Sequence, residues 1–251
     1  MSDMTMIAII AIGAALAGFV QGLSGFAFAL VAAAVWAWAV PPQLVAPMLV
    51  FGALLGQLLA APSMLKGFSL KATAPFVIGG WIGVPLGVAI LPHVDPVWFK
   101  AGVGGFLVTY CPVMLIAAGL PRLRLRAVAA DGVAGFSGGV LGGIAGMAGS
   151  MPTLWCVITG RERHESRSIL QVFNIAMHSA TLTGYFLTGT LKAESAKWFL
   201  VVAPAMLVPT FLGAKLYHTI SDTAFRRVVL VLLTLSGAML LAGSVPALLA
   251  R

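Results

Sequence analysis

Charge is what this chain has least of. Only 9% of its 251 residues are charged, against about 25% in a soluble globular domain, which excludes a water-facing surface over most of its length. Acidic residues are scarcest, seven in all: Asp3, Asp95, Asp131, Glu162, Glu165, Glu194 and Asp222. None lies well inside a long apolar run. Asp131 comes nearest, at a segment start beside an Arg-rich loop, where an interfacial role is expected. Proton- and sodium-coupled carriers usually hold carboxylates in the membrane, so their absence argues against a cation substrate and suits an anion. Of four histidines, His93, His164 and His218 fall in loops or at helix ends. His178 alone is placed to couple a proton within the core. The two cysteines, Cys111 and Cys156, sit in apolar stretches and read as small buried hydrophobes rather than a disulfide or metal pair. There is no Ser/His/Asp arrangement, no metal-ligand spacing and no P-loop, since Gly-x-x-Gly runs cradle no nucleotide without a strand beside them. An enzyme, a cofactor and a bound metal are therefore not expected. The start Met1-Ser2-Asp3-Met4-Thr5-Met6 lacks the positive region of a signal peptide.

What is present is apolar: 60% of residues are hydrophobic and mean hydropathy is +1.04. The chain reads as an all-α integral membrane protein whose partner is the lipid bilayer. Its net charge of +8 does not point to nucleic acid, because the basic residues cluster between apolar segments, as in cytoplasmic loops. About 20 apolar residues cross the hydrocarbon core. Segments 44–62, 72–91, 97–118, 168–189, 197–217 and 224–249 each fit one crossing. Segments 4–40 and 127–159 do not, being too long for one and too short for two.

Both misfits carry the same pattern, A-G-F-x-x-G-x-x-G, from Ala17 to Gly25 and from Ala134 to Gly142. In the second, Gly138, Gly139, Gly142, Gly143, Gly146 and Gly149 fall close together. Each interior helical glycine costs about 1 kcal/mol relative to alanine, so the density predicts a broken helix. A pair of Gly-interrupted segments at matching places in two halves is the sequence pointer to a transporter binding site. The chain divides into repeats 1–120 and 121–251, each with a broken or re-entrant Gly-rich segment and three transmembrane helices. Phe99-Lys100 and Phe225-Arg226 open the last helix of each half.

Two topologies follow. If each broken segment crosses once, the repeats are parallel and eight of 15 basic residues face the cytoplasm. If each folds back as a hairpin, with the N-terminus outside, the repeats are inverted. Lys66, Lys71, Arg122, Arg124, Arg126, Arg161, Arg163, Arg167, Lys215, Arg226 and Arg227 then lie inside, eleven of 15. The positive-inside rule favours the second.

Breaks in lipid are tolerated only where they are buried in protein or line a cavity. They expose helix N-termini that attract anions. The glycines Gly22, Gly25, Gly139, Gly142 and Gly143 are candidates for the site, although small residues also permit close helix packing. Gln21, Ser24, Ser137 and Ser150 add donors, and Pro152 fits the start of a new half-helix. Within 168–189, Gln171, Asn174, His178, Thr181 and Tyr185 fall three or four apart on one face, which in lipid turns toward the protein interior. That face lines substrate or joins helices by hydrogen bonds. Gln57 occupies the corresponding helix of the first half.

With these motifs the sequence resembles the TauE/SafE family of sulfite exporters and related organosulfur-anion transporters. Gly18-Phe19-Val20-Gln21-Gly22-Leu23-Ser24-Gly25-Phe26-Ala27-Phe28 is similar to the family's N-terminal signature. Gly135 to Pro152 is similar to its C-terminal partner, and the polar Gln171–His178 helix follows where expected. The resemblance implies transport of small anions such as sulfite, sulfoacetate or other sulfonates. Together with the paired broken segments it leads to the expectation of a multi-pass inner-membrane transporter, an exporter of sulfite or an organosulfonate, that works by alternating access around a mid-membrane site. A homodimer is compatible with it. A potential-driven anion channel and a carrier of non-sulfur organic anions are the alternatives.

Overall fold

The computed structural model describes residues 3–25, 27–64, 69–117, 119, 123, 127–191, 193–216 and 222–249. Phe26, Lys66, Arg122, Arg124, Arg126 and His218, all used above, lie outside the described residues. Ten α-helices account for nearly all of the described chain, with no strand among those residues: α1 Asp3–Ser24, α2 Phe28–Trp36, α3 Pro42–Met64, α4 Leu70–Ile90, α5 Pro96–Ala117, α6 Val128–Ala145, α7 Ser150–Ile158, α8 Arg163–Leu187, α9 Ala193–Leu216 and α10 Asp222–Leu249. Seven are long and apolar enough to cross a membrane, namely α1, α3, α4, α5, α6, α9 and α10. The 25-residue α8 has the length, but its polar face and charged first turns keep it out of that set. Cys111 and Cys156 are buried free thiols.

Both over-long segments break, and each break comes late. The first is a 22-residue helix followed by one of nine residues. The second is an 18-residue helix followed by one of nine. At 1.5 Å per residue α1 is about 33 Å long and crosses by itself, so the segments are not pairs of equal half-helices. A full helix is followed by a short one that doubles back. Each break turns on a glycine in the left-handed region, Gly25 (φ 85°) and Gly146 (φ 66°), where a Cβ would be strained. Gly25 falls at the end of its nine-residue pattern, whereas the second helix runs one turn past Gly142 before breaking.

The glycines inside α6 stay helical because their faces are occupied by other backbones. A Cβ on Gly135 would strike Phe76, one on Gly139 would strike Gly80, and one on Gly143 would strike Gly87 and Val88. In α4, Gly79, Gly83 and Gly87 face Gly132, Phe136 and Val140 in rising order, so α4 and α6 run parallel in close backbone contact. The α1–α9 pair is built the same way: Gly18 and Gly22 meet Met206 and Thr210, and Gly213 meets Phe19. The third large pair is antiparallel, since Gly104 of α5 faces Gly237 of α10 while Arg226 donates to the Met114 carbonyl at 3.5 Å. Small residues that let backbones approach are the usual means of holding helices together in lipid, where burial from water supplies no drive.

The directions are mutually consistent. With α1 running from a first face to a second, α3, α5 and α9 run with it, and α4, α6, α8 and α10 run against it. Lys71, Arg161, Arg163, Arg167, Lys215, Arg226 and Arg227 then gather at the second face. Lys100 and Lys197 lie at the first.

Candidate functional site

The short helix α2 doubles back because Gln21 holds it. The Gln21 amide donates to the Ala53 carbonyl (3.3 Å), and its oxygen accepts the first N–H of α2, from Phe28 (3.0 Å). The side chain thus caps a helix that has no capping side chain of its own and fastens it to α3. Gln57 of α3 donates to the Gly25 carbonyl at 3.0 Å, satisfying a group at the end of α1 that would otherwise be orphaned. Gln171 of α8 donates to the backbone oxygen of Gln57. Gln21, Gly25, Gln57 and Gln171 therefore meet at the first break, and all three amides are buried.

Asn174 stands at the second break. A Cβ on Gly149 would meet its side-chain amide, so the helix following each doubled-back segment presents an amide to that segment's break. Ser150, the first residue of α7, returns its hydroxyl to the Met147 carbonyl, and its own carbonyl accepts the Tyr110 hydroxyl at 3.0 Å. Pro152 is the third residue of α7 rather than its first. Gly142 packs on Ala148 inside the turn. His178 is buried one turn beyond Asn174.

Along α3 the first break lies beside Ala53 to Gln57 and the second beside Leu49 and Val50. Each is within about one turn, some 5 Å, of the helix midpoint, on opposite sides of it. The two breaks thus lie about two turns apart along α3, the first near the end of α9 and the second near the end of α4. Other candidates are placed elsewhere. Gly22, Gly139 and Gly143 face neighbouring helix backbones. The Ser137 hydroxyl turns back to Val133 on an exposed face.

A cavity of about 540 Å³ runs from the second face toward these breaks. Ser24 and Ala27 line it at the first break, and Thr153 and Tyr110 line it near α7. Its mouth carries Arg161, Arg163, Arg167 and Arg226 against a single acid, Glu162. Arg161 is tied down: it forms a buried ion pair with Asp131 and a second, at 3.0 Å, with Glu165. Its guanidinium carbon lies 5.4 Å from the centre of the Phe76 ring. Burial works against its charge, yet the hydrogen bond and charge of Asp131 more than offset this and raise its pKa above the ordinary arginine value. Trp155 donates to the other Asp131 oxygen at 2.7 Å.

Of the candidate residues, Ser24 alone lines the cavity. In the sequence the arginines read only as loop charges that set sidedness. Their spacing held a further signal, since Arg163 and Arg167 are four apart at the start of a helix and so share a face. Among the described residues no group of three or more His, Cys, Asp or Glu side chains is placed to hold a metal.

Compared with known protein families, the chain matches the model described as Sulfite exporter TauE/SafE over residues 10–240. Neither a curated protein nor a solved structure matches.

Proposed function

Taking as premise that this chain belongs to the sulfite exporter TauE/SafE family, we propose that it moves a small sulfur-containing anion, sulfite or an organosulfonate, across the cell inner membrane, outward, by alternating access. The observation that carries this reading is the arginine-lined cavity. It is a positive funnel that reaches Ser24 and Ala27 at the first break and, on α7, Thr153, one turn past the start of that helix; Asp131, near the start of α6, is already paired with Arg161. Positive clefts with low-dielectric walls concentrate anions, and neutral amide and hydroxyl donors can then hold one without a permanent counter-charge.

We assign the site to the region between the breaks. Gln57, Gln171, Asn174 and His178 contribute polar groups, Ser24 and Ser150 flank the breaks, Gln21 and Gly25 shape the first break, and Gly142 shapes the second. Gly22, Gly139 and Gly143 serve by bringing their helices close. The working unit is a pair of inverted repeats, 1–120 and 121–251. The helix pairings support this: α1 with α9 matches α6 with α4, and α5 with α10 and α3 with α8 are pairs of equivalents. An antiparallel α5–α10 pair is what a two-fold axis in the membrane plane produces. The cavity lining comes from one end of the bundle, which fits a carrier open to one side better than a continuous pore. The basic residues assign that side to the cytoplasm.

A flux panel in proteoliposomes tests the reading, with sulfite, sulfoacetate, isethionate, taurine and carboxylate analogues. Saturable movement of sulfite or a sulfonate is expected, lowered tenfold or more by Asn174→Ala at equal protein insertion. Movement of carboxylates alone would replace the substrate class.

A further inference from the structure

Hydroxyls in this chain habitually bond to the carbonyl one turn back along their own helix. Thr183, Thr188, Thr210 and Ser244 all do so. Ser168 and Thr181 of α8 are buried and do not. Their hydroxyl oxygens have no partner within the protein, and neither have Asn174 Oδ1 and His178 Nδ1 on the same helix or Gln57 Oε1 across from it. Buried polar atoms are rarely left unpaired; water or a ligand usually completes them. Residues 168 to 181 extend about 20 Å along the helix axis. The lower end of the run adjoins the cavity, whose lining includes Ser166, Arg167 and Leu170.

We propose that this run of buried polar groups along α8 conducts a proton to and from His178, so that one proton travels with each anion. The proposal rests on the transport reading above and adds its coupling ion. His178 stands alone in its setting. The helices packed against α8 include α3, α4, α6 and α7. Of these, α3 carries no titratable side chain, and α4 has only Lys71, in its first turn. The only one on α6 is Asp131, held by Arg161 and Trp155, and α7 has only the Cys156 thiol. On α8, Arg163, His164, Glu165 and Arg167 lie in the first two turns, and the Tyr185 hydroxyl donates to the Gly143 carbonyl. On these helices the charged side chains lie in the first two turns, away from His178, and Asp131 is already paired.

The chemistry is a single reversible proton transfer. A lone pair on the neutral imidazole accepts a proton delivered through water held by Ser168, Asn174 and Thr181. An anion at the breaks stabilises the resulting cation, because opposite charges attract strongly where water is excluded. The pair crosses together, and the proton and the anion leave at the opposite face. No other bond changes.

The test uses the full chain in proteoliposomes with isethionate, whose sulfonate stays ionised and cannot cross as a neutral acid. With the membrane potential clamped at zero, an imposed gradient of about one pH unit should sustain about tenfold isethionate accumulation, the ratio set by one proton per anion. A dye reporting internal pH should show protons and isethionate moving one to one. In H178Q the pH gradient should no longer drive accumulation, so the ratio should not exceed about one at whatever isethionate flux remains. S168A and T181V should keep the ratio but approach it several-fold more slowly. No accumulation in the unmodified protein, accumulation driven by a sodium gradient instead, or a tenfold ratio retained in H178Q would each overturn the proposal. If H178Q does not equilibrate, S168A and T181V decide, and unchanged rates in both overturn it. Absence of flux for isethionate and every other anion tested would overturn the transport reading itself.

Discussion

At the scale of single residues, the fold spends its few charges on holding the helix ends at the cavity mouth. Asp131, near the start of α6, joins Arg161 in the turn before α8 and Trp155 at the end of α7. Three elements are tied by one carboxylate. Both side chains of the pair are nearly excluded from solvent, at 4% and 7% exposure. Removing one partner of such a pair leaves an uncompensated buried charge, at a cost of about 3 kcal/mol. Asp131→Asn retains an acceptor for Trp155 but not the charge, so it should lower the thermal stability of the purified protein measurably. Asp131→Glu should recover part of the loss. An unchanged unfolding transition in Asp131→Asn would mean that the ion pair contributes nothing net.

At the scale of elements, glycine does two separate jobs here, and the sequence mixed them together. Gly25 and Gly146 adopt positive φ and turn the chain. Gly79, Gly83, Gly87, Gly135, Gly139 and Gly143 are flat helical faces pressed on backbone. The repeated nine-residue pattern was enough to mark both segments as broken, with a break in each. Their position within each segment was not legible, because a helical glycine and a turning glycine are the same letter and only the opposing helix distinguishes them. Gly139→Ala or Gly83→Ala should wedge α4 from α6 and destabilise by about 1–3 kcal/mol, as overpacking does. Gly102→Ala and Gly105→Ala in α5 meet nothing within 4 Å and should be neutral or gain up to about 1 kcal/mol from helix propensity. Denaturation of the four variants in one detergent separates the classes. Equal effects in all four would remove the distinction.

At the scale of the whole molecule, most of the crossings could be read from apolar length and the polar face of α8 from its spacing, although 168–189, read as a crossing, is too polar to stand among the seven. The family could be read from the glycine patterns. The cavity could not. Its lining comes from both ends of the sequence, from Val20 to Leu233. Its arginines sit in short loops and first helical turns, where sidedness alone accounts for them. The amides at the first break were foreseen as substrate donors. In the structure Gln21, Gln57 and Gln171 each donate to a backbone carbonyl of a neighbouring element or turn. They build the break first, and what remains for an anion are the groups beyond those bonds together with the arginines below. A molecule of this kind, with its cavity lined from one end, should load from one face at a time. The measurement closest to that claim is counterflow of labelled sulfite in proteoliposomes held at zero potential. The account predicts saturable uptake that is accelerated several-fold by unlabelled sulfite or sulfonate on the opposite side. Flux that rises without saturation and ignores the opposite side, or no sulfite or sulfonate flux, would contradict it.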